Sequence, residues 1–104
     1  MAKNNTQDRS DILTEENIEN DEPKLFKVLL HNDNFTTMDF VVQVLETVFF
    51  KSPAEATQIM ISVHQKGVGM CGIYPYDVAE SKVEQVHLLS RQNQFPLKSS
   101  LEEI

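Results

Sequence analysis

Proline and glycine divide this chain into segments that suit only a small mixed fold. The four prolines stand at 23, 53, 75 and 96, and all three glycines fall between 67 and 72. Proline lacks an N–H and has a fixed φ, so it interrupts helices and central strands. The stretches between these breakers are long enough for one strand or one to two helices each.

Residues 24–30 read as a short strand rich in Leu, Val and Phe, followed by the polar turn His31-Asn32-Asp33-Asn34, with Asn and Asp where turns favour them. Thr36 or Thr37 caps a helix whose apolar residues Met38, Val41, Val42, Leu45, Val48 and Phe49 recur at helical spacing. Ser52-Pro53-Ala54-Glu55 joins a capping box to proline at the first helical position, which starts a second helix. Ala56, Ile59, Met60 and Val63 form its inward stripe, and Gly67 closes it. The glycines around Val68, Met70 and Cys71, leading into Ile73 and Tyr74, predict a second strand with a close backbone approach, ended by Pro75. Residues 76–93 predict a third helix with Ala79, Val83, Val86 and Leu89 inward. Phe95, Leu97 and Leu101 then form a last strand, where Pro96 fits a sheet edge but not a sheet centre. The order β-α-α-β-α-β predicts an α+β domain, a small three-stranded antiparallel sheet packed against three helices.

At 104 residues there is room for one such domain and a tail. Residues 1–22 hold seven acids against Lys3 and Arg9, a balance of −5 out of the chain's −7. With Ile12, Leu13 and Ile18 as its only large branched apolar residues, this stretch cannot offset the entropy of ordering. It is expected to be a disordered acidic extension, either solubilising or active in trans, with the domain spanning 23–104. No run reaches the roughly 18 apolar residues of a membrane span. The first ten residues are too polar for a secretory signal and too acidic for a transit peptide. Cys71 is the only cysteine, which excludes a disulfide framework and fits a reducing cytoplasm. The negative balance argues against nucleic acid and anionic membranes as partners. A monomeric cytoplasmic binder or a very small enzyme is left.

The polar turn together with His64 is the first place where chemistry could reside. If the first strand lies beside the second helix, His64 faces the turn, with Met38, Val41, Met60 and Val63 nearby on helical faces. An ammonium group presents three donors and no acceptor, so a carboxylate, an amide oxygen and a neutral imidazole could hold it. An apolar hole beside them would read the attached side chain. The same residues also read as a helix-capping turn, a helix-end histidine and two core-filling methionines. A metal site from His31, Asp33, His64 and Cys71 lacks CxxC or HxxxH spacing. Nucleophilic catalysis by Cys71 with His64 as base sets a thiol between apolar neighbours, where thiols are usually inert. Asp77, Glu80, Lys82 and Glu84 alternate in sign, as a solvated helix face does.

The run Lys27-Val28-Leu29-Leu30-His31-Asn32-Asp33-Asn34-Phe35-Thr36-Thr37-Met38-Asp39-Phe40-Val41 resembles the strand-and-loop signature of the ClpS family of bacterial N-degron adaptors. Ala56-Thr57-Gln58-Ile59-Met60, Val63-His64, Gly67, Cys71-Gly72, Asp77-Val78-Ala79-Glu80-Ser81-Lys82-Val83 and Phe95-Pro96-Leu97 continue the likeness in order, from about Lys24 to Glu102. The resemblance implies a protein that is not an enzyme and needs no cofactor or metal. Such an adaptor binds proteins whose first residue is Leu, Phe, Tyr or Trp and delivers them to a ClpA unfoldase, or a ClpC-type one, for degradation by ClpP. It places amine binding on Asn32, Asp33, Asn34 and His64, and the side-chain pocket on Thr36, Met38, Val41, Met60, Val63 and Leu97. Met38 is then the gate against β-branched residues, and Asp77, Glu80 and Lys82 form the unfoldase-docking surface, with the extension assisting. Asn34 stands where the family commonly has Asp, Thr37 where proline is common, and His31 where an apolar residue is frequent. A general protein-interaction domain with a repurposed pocket is the alternative that the loss of charge at Asn34 raises.

Overall fold

The computed structural model describes residues 22–104. Apart from Glu22, the extension assigned to residues 1–22 lies outside them. Six elements follow in the expected order: β1 Leu25–His31, α1 Met38–Thr47, α2 Pro53–Lys66, β2 Val68–Pro75, α3 Tyr76–Gln92 and β3 Lys98–Glu103. The sheet is antiparallel with strand order β2-β1-β3, so β1 is central and β2 and β3 are the edges.

Local chemistry fixes the helix ends. Of the two threonines, Thr37 is the N-cap of α1, its Oγ1 accepting the Phe40 N–H at 3.1 Å. Ser52 and Glu55 form a reciprocal capping box at the start of α2, with Pro53 at the first helical position. Gly67 ends α2 with φ +87°, a left-handed conformation that side chains with a Cβ resist.

The core gathers Val28 and Leu30 of β1, four residues of α1, Val48 and Phe49 just after it, and Ala56, Val63, Cys71, Ala79, Val86 and Leu97. In and just after α1 the expected Val41, Leu45, Val48 and Phe49 are buried, joined by Phe40 and Val44. The two other expected residues are not buried. Met38 is 46% exposed at the helix start, Val42 only packs against the rim of the core, and Phe40 stacks on Phe95 with ring centroids 4.7 Å apart. Val83 and Leu89 likewise pack around the core, whereas Ala79 and Val86 are wholly enclosed.

The last strand begins later than expected. Phe95 and Leu97 precede β3, because the chain leaves α3 through Gln94 at φ +63° and passes Pro96, which cannot donate to a ladder. His31 gains an account here: its Nε2 lies 2.6 Å from Ser100 Oγ, joining β1 to β3. Ser99, fully enclosed, donates its hydroxyl to Leu29 O at 2.7 Å and its N–H to His87 Nε2 at 3.0 Å. A buried polar group without such partners would be costly.

Between Val28 and Leu29 the β1–β2 register slips, since Val28 faces Gly72 and Leu29 faces Met70. Cys71 is the extra residue of this bulge and is fully enclosed. Gly69 just before it presses β2 against α2: a Cβ there would meet Val63 Cγ2 at 2.7 Å and Ile59 O at 3.2 Å. At Gly67 the same test finds nothing within 4 Å, so only the backbone conformation is demanding. Urea midpoints separate the two causes. Gly69→Ala should lose about 1–3 kcal/mol by overpacking, and Gly69→Asn at least as much. Gly67→Ala should lose about 1 kcal/mol, which Gly67→Asn largely restores because Asn tolerates the left-handed region.

Candidate functional site

The end of α2 is joined to the turn after β1. The Gly67 carbonyl accepts the Asn32 N–H at 2.9 Å. His64 lies in the last turn of α2, so this bond brings its ring to the same place as the polar turn. Asn32, Asp33, Asn34, Thr36, Met38, Val41, Met60, Val63 and His64 line one cavity of about 240 Å³.

Within the turn, Asp33 is occupied by its own loop. Its Oδ1 accepts the N–H groups of Phe35 at 2.8 Å and Thr36 at 2.7 Å, and its Oδ2 accepts the Thr36 hydroxyl at 2.7 Å. Partial burial raises the pKa of this carboxyl, but the bonds from Thr36 and Phe35 outweigh burial and hold the pKa below its ordinary value. Asp33 thus closes the turn upon itself, while Thr37 caps the helix that follows. Asn32 and Asn34 remain exposed on either side of Asp33.

The cavity is lined by both polar and apolar side chains. Asn32, Asn34 and His64 supply oxygen and imidazole acceptors. Val41 and Val63, 6% and 2% exposed, belong at once to the cavity and to the core. Met60 is half-buried, and Met38 stands at the rim. A small multi-donor group attached to an apolar body is the chemical match for such a cavity. A wider groove of about 600 Å³ lies at the other end of α2, against Met70 and Ile73 of β2. Its one carboxylate, Glu55, is engaged by the Ser52 backbone and hydroxyl.

Two expected members fall elsewhere. Leu97 is 3% exposed within the core and is not among the residues lining the cavity. Its place at the turn before β3 commits it to packing. Asp77 and Glu80 are exposed on the first turns of α3, where Glu80 accepts the Tyr76 hydroxyl at 3.2 Å. Lys82 is turned away from them. Its Nζ donates to Val48 O at 2.7 Å at the end of α1 and lies 4.7 Å from the Phe50 ring centroid. The ammonium thereby satisfies a helix-terminal carbonyl. The sequence reading gives Gly67 only the task of closing α2. Its second task, holding Asn32, depends on a tertiary meeting that no local signal announces.

The Cys71 thiol faces the core, and desolvation pushes it up to about 12, so it is protonated at neutral pH and supplies no nucleophile. Among the described residues no three His, Cys, Asp or Glu side chains approach closely enough to hold a metal ion, and no helix is long and apolar enough to cross a membrane.

Residues 21–100 match the family model described as ATP-dependent Clp protease adaptor protein ClpS. The chain is similar to the ATP-dependent Clp protease adapter protein ClpS of Syntrophus aciditrophicus, 55% identical over 83 residues that span 80% of this chain and 78% of that protein. It is also similar to the ClpS of Desulfatibacillum aliphaticivorans, 51% identical over 102 residues covering 98% of both. Among solved structures, Agrobacterium tumefaciens ClpS2 bound to L-phenylalaninamide superposes with a TM-score of 0.77 at 34% identity, over 80% of this chain and all of that one.

Two measurements check the local chemistry. A thiol reagent at neutral pH should leave Cys71 unlabelled in the native protein and label it once denaturant is added; rapid native labelling contradicts the burial. Because the folded Asp33 pKa is depressed, its stabilisation is fully present above the unfolded value of about 4 and is lost as pH falls through the lower folded value. The Phe35 and Thr36 amide resonances should therefore titrate with a midpoint below about 4, and not at all in Asp33→Asn.

Proposed function

The chain belongs to the ClpS family of ATP-dependent Clp protease adaptors, and we propose that it selects proteins by their first residue. The ligand is a free α-ammonium followed by a Leu, Phe, Tyr or Trp side chain. The observation that carries this reading is that Asn32, Asn34 and His64 line one cavity together with Met38, Val41, Met60 and Val63. Support also comes from the relative of similar fold that binds L-phenylalaninamide, a molecule with a free α-amine beside a benzyl group.

In this reading the three ammonium protons go to the amide oxygens of Asn32 and Asn34 and to an unprotonated His64 nitrogen. The Asp33 charge stands in the same loop and favours the cation at short range, while its oxygens stay on Phe35 and Thr36. The side chain of the first residue enters between Val41 and Val63, with Thr36 and Met60 at its flanks. Met38 at the rim obstructs the extra Cβ bulk of Ile or Val. Burying a Leu or Phe side chain contributes roughly 1.5–3 kcal/mol, enough to sort residues without any covalent step. Leu97 belongs to the core and is not among the residues lining the cavity.

Delivery uses a separate surface. Asp77 and Glu80 present carboxylates from the start of α3 to a ClpA unfoldase, or to its ClpC-type counterpart, and Lys82 holds that region against the end of α1. The acidic residues 1–22 assist engagement of the unfoldase, and ClpP degrades the delivered protein. The adaptor acts as a monomer and makes or breaks no bond.

Fluorescence anisotropy with labelled peptides that differ only at residue one tests the reading. Phe and Leu starts should bind, an Ile start should bind about tenfold or more weakly, and an acetylated Phe start should lose measurable binding. Binding that survives acetylation would favour a general interaction domain with a repurposed pocket. Asn34→Asp should tighten the Phe-start peptide by about fivefold, since a charged acceptor roughly doubles the bond's strength; unchanged or weaker binding removes the proposed cost of asparagine.

A further inference from the structure

Phe35 is 76% exposed, although it stands between two residues that line the cavity, Asn34 and Thr36. The alternation along the loop sends Asn34 and Thr36 to the cavity and leaves the Phe35 ring outside it. Its backbone is fixed, because the Phe35 N–H donates to Asp33 Oδ1 at 2.8 Å and the Thr36 hydroxyl and N–H hold the same carboxylate. An aromatic ring held in water on a pinned loop has no packing role within the fold. Met38, also at the rim, is 46% exposed and makes the loop side of the mouth apolar. From α2 the exposed, polar His64 also lines the cavity.

A cavity of about 240 Å³ accommodates one side chain, so the chain behind it must leave across the rim. Resting on the recognition of a free N-terminus proposed above, we infer that Phe35 reads the second residue of the bound protein, favouring apolar and aromatic side chains there over glycine and aspartate. A large side chain at that position covers part of the ring that water covers otherwise. An aspartate meets an apolar surface and the negative Asp33 in the same loop. The ring does not touch the amine or the first side chain, so it changes the choice among ligands and leaves the clamp intact.

The test is anisotropy with labelled peptides that begin Phe-Leu, Phe-Tyr, Phe-Gly and Phe-Asp, on the wild-type chain and on Phe35→Ala and Phe35→Lys. Both substitutions are at an exposed position, and circular dichroism melts check that the fold is kept. The wild type should prefer Phe-Leu and Phe-Tyr over Phe-Gly by about threefold to tenfold, in keeping with partial burial of one apolar side chain. In Phe35→Ala that ratio should fall to near one while Phe-Gly binds as before, and in Phe35→Lys the preference should shift toward Phe-Asp. Peptides that bind with no second-residue preference, or with one that Phe35→Ala leaves unchanged, overturn the inference alone. Failure of every peptide to bind overturns the reading of N-terminal recognition and this inference with it.

Discussion

The hydrogen bond from the Asn32 N–H to the Gly67 carbonyl is the contact on which the site depends. Its net contribution to stability is ordinary, about 1 kcal/mol. Its consequence is positional: it joins the turn leaving β1 to the last residue of α2, so that an amide turn and an imidazole share one cavity. The carbonyl is available because Gly67 adopts φ +87° and ends the helix there. The helix reaches that point because Ser52, Pro53 and Glu55 start it fourteen residues earlier. At 1.5 Å per residue, shortening or extending α2 by one residue would rotate His64 by about 100° away from the turn. The two caps therefore set the geometry of the cavity from a distance.

Charge in the loop is divided between structure and exposure. The one carboxylate, Asp33, is consumed by two backbone N–H groups and a hydroxyl, while the neutral Asn32 and Asn34 keep their oxygens outward. A carboxylate turned into the cavity would hold a cation more strongly, yet it would leave the Phe35 and Thr36 N–H groups without a partner. Here the fixed charge builds the loop, and the outward acceptors are neutral.

Much of this was legible in the sequence because the signals are local. A capping box with proline at the first position, a glycine at the helix end and a proline after a β-rich run each act within a few residues, and all six elements follow in the order those signals give, with only β3 starting later. The turn, Met38, Val41, Met60, Val63 and His64 do share a cavity. Long-range facts were not legible. Met38 and Val42 fit helical spacing as well as Phe40 and Val44 do, and that Phe40 is buried depends on tertiary neighbours such as Phe95, whose ring packs on it. Leu97 looks like a strand residue until Pro96 and the left-handed Gln94 delay β3 and leave it in the core. Lys82 looks like a solvated charge until the end of α1 offers it the Val48 carbonyl.

The floor of the cavity and the core of the domain are the same atoms. Val41 and Val63 are almost wholly enclosed, and Val63 is also the side chain against which Gly69 presses β2. A change of volume at either position acts on both, since overpacking and cavities in such a core each cost a few kcal/mol. The rim is under no such constraint. Phe35, Asn34 and Met38 are exposed, and the loop that carries them is fixed through the Asp33 carboxylate and the Thr36 hydroxyl rather than through their own side chains. Residues at the mouth can therefore vary in size, charge and shape with little effect on folding, while those at the floor cannot. It follows that differences in ligand preference among chains of this fold should arise at the rim, with the depth and apolar character of the floor held constant by the need to fold at all.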